Sequence, residues 1–283
     1  MNTCLRFPGG RSRALTLSYD DGVTSDIRFK EIIDAQGIRA TFNINTGVFH
    51  EGEEPLPTLE SREFRRMTKK EAYELYANSP HEIAAHALTH PWLDQLPIAL
   101  VTHEVMEDRK NIEEMFGTVC RGMAYPYGAT SDDVIRALEA CDIAYARTVV
   151  STGSFALPTN WLRLPATCHH NDKRLPDLCN TFLQNTTAGK PPRLFYLWGH
   201  TYEFCSNDNW HVIEEFAKRM GGHEDIWYAT NIEICDYVHA FRQMHFSADG
   251  KRVYNPTATE LCFAPDMRSD ACITVPAGAT VAL

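Results

Sequence analysis

Two periodicities take turns along most of this chain. Continuous or alternating β-type runs such as ALTLSY (14–19), ATFNIN (40–45) and HEIAA (81–85) predict strands. Between them, apolar positions recur at helical spacing. Ile27–Gln36 reads as a helix stopped by Gly37, and Thr68–Ala77 as a helix capped by Thr68 with Glu71 three residues on, a capping-box pattern. Leu100–Phe116 predicts a long helix ending at Gly117, and GMAYPYG (122–128) ends another strand. Asp132–Ala140, Trp210–Met220 and Asn231–Ala240 are further helices; Arg193–Trp198 and Asp225–Ala229 are further strands. Six or seven strand-then-helix units in series imply parallel strands with crossover helices, hence an α/β barrel or a doubly wound sheet. The pattern changes near Met244. Turn signals at Asp249-Gly250, Asn255-Pro256 and Ala277-Gly278 separate short β-type runs, so residues 1–244 read as the α/β unit and 245–283 as a small antiparallel β appendage.

Composition narrows the function more than the fold. The 283 residues are 44% hydrophobic and 11% aromatic, which supplies a sizeable core and argues against disorder. Acidic side chains outnumber basic ones 37 to 27, and the net charge of −10 argues against nucleic acid or an anionic membrane as partner. No apolar run approaches the roughly 18 residues of a spanning helix, and no apolar leader precedes the first strand. With Met1 as the natural start, the expected location is the cytoplasm. The nine cysteines are scattered, odd in number and never spaced C-x-x-C, as reduced and mostly buried thiols would be.

Ligands of α/β folds bind at the carboxyl ends of the strands, so polar residues just after predicted strands are the candidates. Asp20 and Asp21 follow ALTLSY, His86 and His90 follow HEIAA, and His200 follows RLFYLWG. Taken alone, YDDG is an ordinary Asx-turn or cap, although two close ionised carboxylates repel unless a cation or separate partners intervene. His86 and His90 are four apart, but Ala87 in place of glutamate excludes the metalloprotease H-E-x-x-H. Pro91 puts the pair in a strand-to-helix loop, with the helix starting near Pro91. Together, two imidazoles and a carboxylate suit Zn²⁺ or a similar divalent ion, with positions open for water and substrate. His169-His170-Asn171-Asp172 looks ligand-like but reads first as a polar surface loop and second as a substrate contact, not as a second metal site. Tyr202 and Glu203 are candidates to shape a substrate pocket, and Asn43 and Asn45 alternate along one strand, pointing the same way. Trp92, Trp161, Trp198 and Trp227 are either sugar-stacking rings or core aromatics.

LTLSYDDG, HALTH, AYPYG and LFYLWGH, in this order, resemble the motifs of the polysaccharide deacetylase (NodB-homology) family over about residues 12–240. The resemblance implies a distorted (β/α) barrel of about seven parallel strands and metal-dependent removal of acetyl groups from amino sugars or esterified glycans. It implies Asp20 as general base, Asp21, His86 and His90 as metal ligands, and His200 as catalytic acid. Tyr127, in the Pro126-Tyr127 pair, would offer its backbone N–H to the oxyanion. Two positions depart from the family pattern. Ala87 stands where the family has serine or threonine, and Ala124 stands where it has the arginine that steadies the catalytic aspartate; Arg163 and Arg121 are the candidate replacements. Asn160-Trp161 lies where the family's aspartate-tryptophan motif is expected, so Trp161 and Arg163 join Tyr202 and Glu203 as candidate substrate-binding residues.

The expected chemistry is acyl hydrolysis. A divalent ion, zinc first, would make hydroxide available, Asp20 would take the proton, and His200 would protonate the departing amine or alkoxide. The expected substrate is an acetylated carbohydrate or, with a cytoplasmic location, a small amide or ester. Two alternatives compete: a hydrolase of non-peptide C–N bonds, and a carbohydrate-binding protein on a retired enzyme scaffold. Ala124 speaks for the second; Asp20, Asp21, His86, His90 and His200 together speak against it.

Overall fold

A computed structural model describes residues 3–52, 55–58, 62–184, 191–266 and 271–283. After β1 (Cys4–Arg6), strands and helices alternate: β2 (Arg13–Asp20), α1 (Asp26–Asp34), β3 (Ala40–Ile44), α2 (Lys69–Tyr76), β4 (Glu82–Ala85), α3 (Ile98–Phe116), β5 (Gly122–Ala124) and α4 (Asp132–Ala140). Next come β6 (Tyr145–Ser151), β7 (Leu164–Ala166), β8 (Cys168–His169), α5 (Leu175–Leu183), β9 (Arg193–His200), α6 (Tyr202–Ser206), α7 (His211–Met220), β10 (Ile226–Tyr228) and α8 (Asn231–Arg242). Five short strands finish the chain: β11 (His245–Phe246), β12 (Arg252–Tyr254), β13 (Leu261–Ala264), β14 (Ile273–Val275) and β15 (Thr280–Ala282).

Local signals explain most of these boundaries. Thr68 accepts from the Glu71 N–H while Glu71 accepts from the Thr68 N–H, so the capping box of α2 is formed. Gly117 ends α3 in the left-handed conformation that only glycine adopts without cost (φ 68°). The helix after Pro91 starts later than its sequence suggests. Leu93–Gln95 make only a single 3₁₀ turn, and α3 begins after Pro97.

Nine strands form one parallel sheet in the order β7-β6-β5-β4-β3-β2-β9-β8, with β10 alongside β2. β7 and β8 stand at opposite ends of that order yet are separated in the chain only by Thr167. Its N–H donates to Tyr196 O in β9 (2.9 Å), and its carbonyl accepts from Gly153 N–H (2.8 Å). The sheet therefore curls until its ends meet, giving the distorted (β/α) barrel. β2 is buried along all eight residues, between β3 and β9, and delivers Asp20 at its last position. Strands β6 and β8 and helix α5 are not predicted by the hydrophobic pattern, while β7 overlaps the strand-like NWLRLP.

Beyond Met244 the strands are antiparallel. β12 joins β11 to β15, while β13 pairs with β14 on one edge and with the N-terminal β1 on the other. Tyr237 of α8 ties the two ends of the chain, donating to Arg6 O (2.8 Å) and accepting from Cys262 N–H (2.9 Å). All nine cysteines are free, and eight are buried. Among the described residues, no helix is long and apolar enough to cross a membrane.

Candidate active site

The carboxyl ends of β2, β3, β4 and β9 converge on Asp20. Its side chain is 2% exposed, so its charge depends on what surrounds it. Arg147 of β6, itself fully buried, donates to Asp20 Oδ2, and Asn43 Nδ2 donates to Oδ1 (2.8 Å). Burial alone would raise the Asp20 pKa. The Arg147 guanidinium outweighs it, with help from His86 and His200, and holds the carboxyl below its usual value. Arg147 is stacked over Trp198 (4.5 Å from the ring centroid), which fixes the donor. Neither Arg163 nor Arg121 supplies this cation. Arg163 pairs with Asp132 on the exposed first turn of α4, and Arg121 pairs with Asp236 on α8. The substitute instead lies one strand over, because Arg147 is the register partner of Ala124.

Asp21, His86 and His90 form a second layer of the site. One donor atom from each lies within 4.8 Å of the others. His86 Nδ1 donates to Ala124 O (2.8 Å) when neutral, which leaves Nε2 with a free lone pair facing the carboxylates. Burial lowers the pKa of His86, and burial together with His86 lowers that of His90 to about 4, so both rings are neutral at pH 7. Arg66 was absent from the sequence-based candidates. It donates to Asp21 O (2.6 Å), Asp21 Oδ1 (3.1 Å) and Asn45 Oδ1 (3.1 Å). Asn45 in turn donates to Ala87 O (2.7 Å) and His86 O, so Asn43 of β3 and Asn45 just past its end both serve the site. Neutral imidazoles with a carboxylate are a donor set that fits a zinc-class divalent ion.

The backbone here is strained. Among the described residues seven non-glycine residues have positive φ, and four of them belong to or adjoin this cluster: Asp21 (85°), Ala87 (61°), His90 (61°) and Tyr127 (58°). Such conformations cost about 1–3 kcal/mol each and persist where packing over-determines them. Tyr127 is half exposed, stacks on Trp92 (4.3 Å, 7°) and meets the edge of His90 (4.5 Å).

His200 closes the site from β9. Its Nε2 lies 3.8 Å from Asp20 Oδ2, and its Nδ1 lies 3.6 Å from Glu203 Oε1. Burial would lower its pKa; the Glu203 and Asp20 carboxylates reverse that and raise it. Glu203 also meets His169 Nε2 (3.1 Å) and His170 Nε2 (3.0 Å), and these imidazoles hold its carboxyl far below the usual range against burial. His170 is not on a surface loop, since β8 lays it against β9 with 1% exposure. Tyr202 stacks on Phe64 (5.0 Å) beside His200 (5.1 Å). Trp161 is not brought to the site. It is 6% exposed and packs edge-on to His239 in a separate apolar cluster.

Residues 8–146 match the polysaccharide deacetylase family. No curated protein sequence matches the chain. A Mycobacterium smegmatis structure described as a polysaccharide deacetylase superposes with a TM-score of 0.58 at 16% identity, covering 84% of this chain and 94% of that one. Puue allantoinase gives 0.59 at 14%, covering 83% and 92%. The Streptococcus pyogenes deacetylase PplD, solved with acetate, gives 0.45 at 19%; there the match covers 52% of this chain and 61% of that chain's length. The first two likenesses speak for the barrel. Residues 8–146, just under half of the chain, thus match the polysaccharide deacetylase family, and the four motifs that resemble it stand in order along the chain.

Proposed function

We propose that the protein is a divalent-metal-dependent hydrolase that removes N- or O-linked acetyl groups from a carbohydrate. The observation that carries this reading is the pairing across Asp20: an ionised buried carboxylate 3.8 Å from an imidazole whose pKa is raised, beside three convergent metal donors. A base and an acid with pKa values pushed apart are what acyl hydrolysis needs near neutral pH. Asp21, His86 and His90 would hold the ion. When bound, a divalent ion supplies Lewis acidity, polarising the acyl carbonyl and bringing the pKa of water toward roughly 7.

The chain's own groups divide the remaining work. Asp20, pinned by Asn43 and Arg147, accepts the proton of the attacking water. His200, protonated with the help of Glu203, passes its proton to the departing amine or alkoxide. The Tyr127 N–H, at its left-handed turn, donates to the oxyanion, a role worth about 3–4 kcal/mol elsewhere. Tyr202 forms one wall of the substrate pocket, and Glu203 positions the acid.

Acetate release from a panel of acetylated sugars tests the reading. Zinc-loaded protein is expected to release acetate, to stop on chelation and to recover on re-addition. Asp21→Ala is expected to lose metal and activity together. Ammonia release without acetate, or glycan binding without turnover, would sink the proposal.

A further inference from the structure

Apart from Asp21, His86 and His90, one other group of described residues brings three metal-donor side chains together. His169, His170 and Glu203 place one donor atom each within 4.8 Å of the others. Both rings aim Nε2 at the same oxygen, Glu203 Oε2, at 3.1 and 3.0 Å, while Oε1 faces His200. The two oxygens of Glu203 therefore serve different neighbours.

His170 supplies the independent sign that something more belongs here. It is 1% exposed; its Nδ1 has no partner among the described residues, and its Nε2 meets Glu203 Oε2 at 3.0 Å but outside hydrogen-bond geometry. Its ring is fixed all the same. It lies parallel to Tyr19 (5.8 Å, 1°), packs on Phe204 (4.2 Å), and rests against Gly199, where a Cβ would come within 2.0 Å of Nδ1. A buried imidazole held rigidly with an unspent nitrogen is an exception among buried polar groups and calls for a ligand.

We propose that His169, His170 and Glu203 hold a second divalent cation of the zinc class. The donors are His169 Nε2, His170 Nε2 and Glu203 Oε2. They repeat the two-imidazole, one-carboxylate set of the first cluster, and that set suits a borderline ion over calcium or magnesium. One rearrangement is required. Asn171 N–H donates to His169 Nδ1 (3.1 Å), so a neutral His169 carries its proton on Nε2. Loading moves that proton to Nδ1 and opens the Asn171 bond, without net proton release from this ring. The ion then clamps Glu203 and so fixes the carboxylate that faces His200.

Metal stoichiometry tests this independently of any activity. Chelator-stripped protein is loaded with Co²⁺ or Zn²⁺, passed through a desalting column and analysed for metal, with the Co²⁺ visible spectrum followed in parallel. Wild type is expected to retain two equivalents. Glu203→Gln, His169→Ala and Asp21→Asn are each expected to retain one, and Glu203→Gln with Asp21→Asn none. No metal in wild type, or bound metal that survives both Glu203→Gln and His169→Ala undiminished, overturns the proposal, whereas a single equivalent lost in Glu203→Gln but kept in Asp21→Asn overturns the first cluster instead. Loss confined to Asp21→Asn speaks to the first cluster alone, so the two readings fail separately. Circular dichroism checks folding, and His169→Ala carries the test if Glu203→Gln does not fold.

Discussion

Asp20 and Asp26 lie six residues apart, at the end of β2 and the start of α1, and both are almost completely buried. Their partners differ. Asp20 receives a guanidinium from Arg147 and an amide from Asn43, whereas Asp26 receives only the hydroxyls of Tyr76 and Thr201 and backbone contacts. The outcomes are opposite. Asp20 is held below its usual value, while burial pushes Asp26 up to about 7, against the pull of both hydroxyls. Neutral donors cannot replace a cation in keeping a buried carboxylate ionised. One aspartate is thereby kept ionised, while the other holds its proton toward neutrality.

The sharpest way to break the contrast is to remove the base itself. Asp20→Asn is expected to lower acetate release by about 10²–10⁴-fold while leaving bound metal in place; unchanged turnover in a metal-replete sample would refute the assignment. Next comes its partner. Arg147→Met leaves a buried carboxylate without its cation, so a loss of about 3–5 kcal/mol in urea unfolding is expected. The acid limb of the pH–rate profile should also move up, and a limb that stays put would show that Arg147 does not set the Asp20 charge.

Asp26 gives a smaller effect of opposite sign. Its folded pKa of about 7 lies above the ordinary aspartate value of 3.8, so the folded state binds the proton more tightly. Its contribution is complete below about pH 4 and fades as the pH rises through 7, by about 4 kcal/mol in total. Asp26→Asn should flatten that part of the stability–pH curve, measured by denaturant unfolding between pH 4 and 8. Smallest is Tyr76→Phe, which removes one hydroxyl donor. A cost of about 1 kcal/mol is expected at pH 5, growing above pH 7 as Asp26 ionises.

The site was legible where its residues sit in short contiguous motifs. Asp20, Asp21, His86, His90 and His200 each stand directly after a β-type run, and the structure brings all five together. Arg147 escaped because its relation to Asp20 runs across the sheet, through a register that one sequence does not state. The signal was present in YARTVVS, where an arginine sits inside a β-type stretch whose first four residues are buried. His170 was misread for the converse reason. Four polar residues in a row look like a loop, but the two-residue strand β8 pairs with β9 and buries the second histidine. Trp161 and Arg163 were drawn toward the site by a motif position that this chain does not use. Arg66 reaches Asp21 from outside any regular element, where periodicity says nothing.

The pairing of β1 with β13 sets an order of events during synthesis. Cys4 is made 260 residues before its register partner Ala264. At about 5–20 residues per second the first strand waits tens of seconds for its mate. A chain released before Leu261 keeps that strand's edge open to pairing with other molecules. Closing this small sheet therefore has to wait until the whole α/β unit between its two strands has been made.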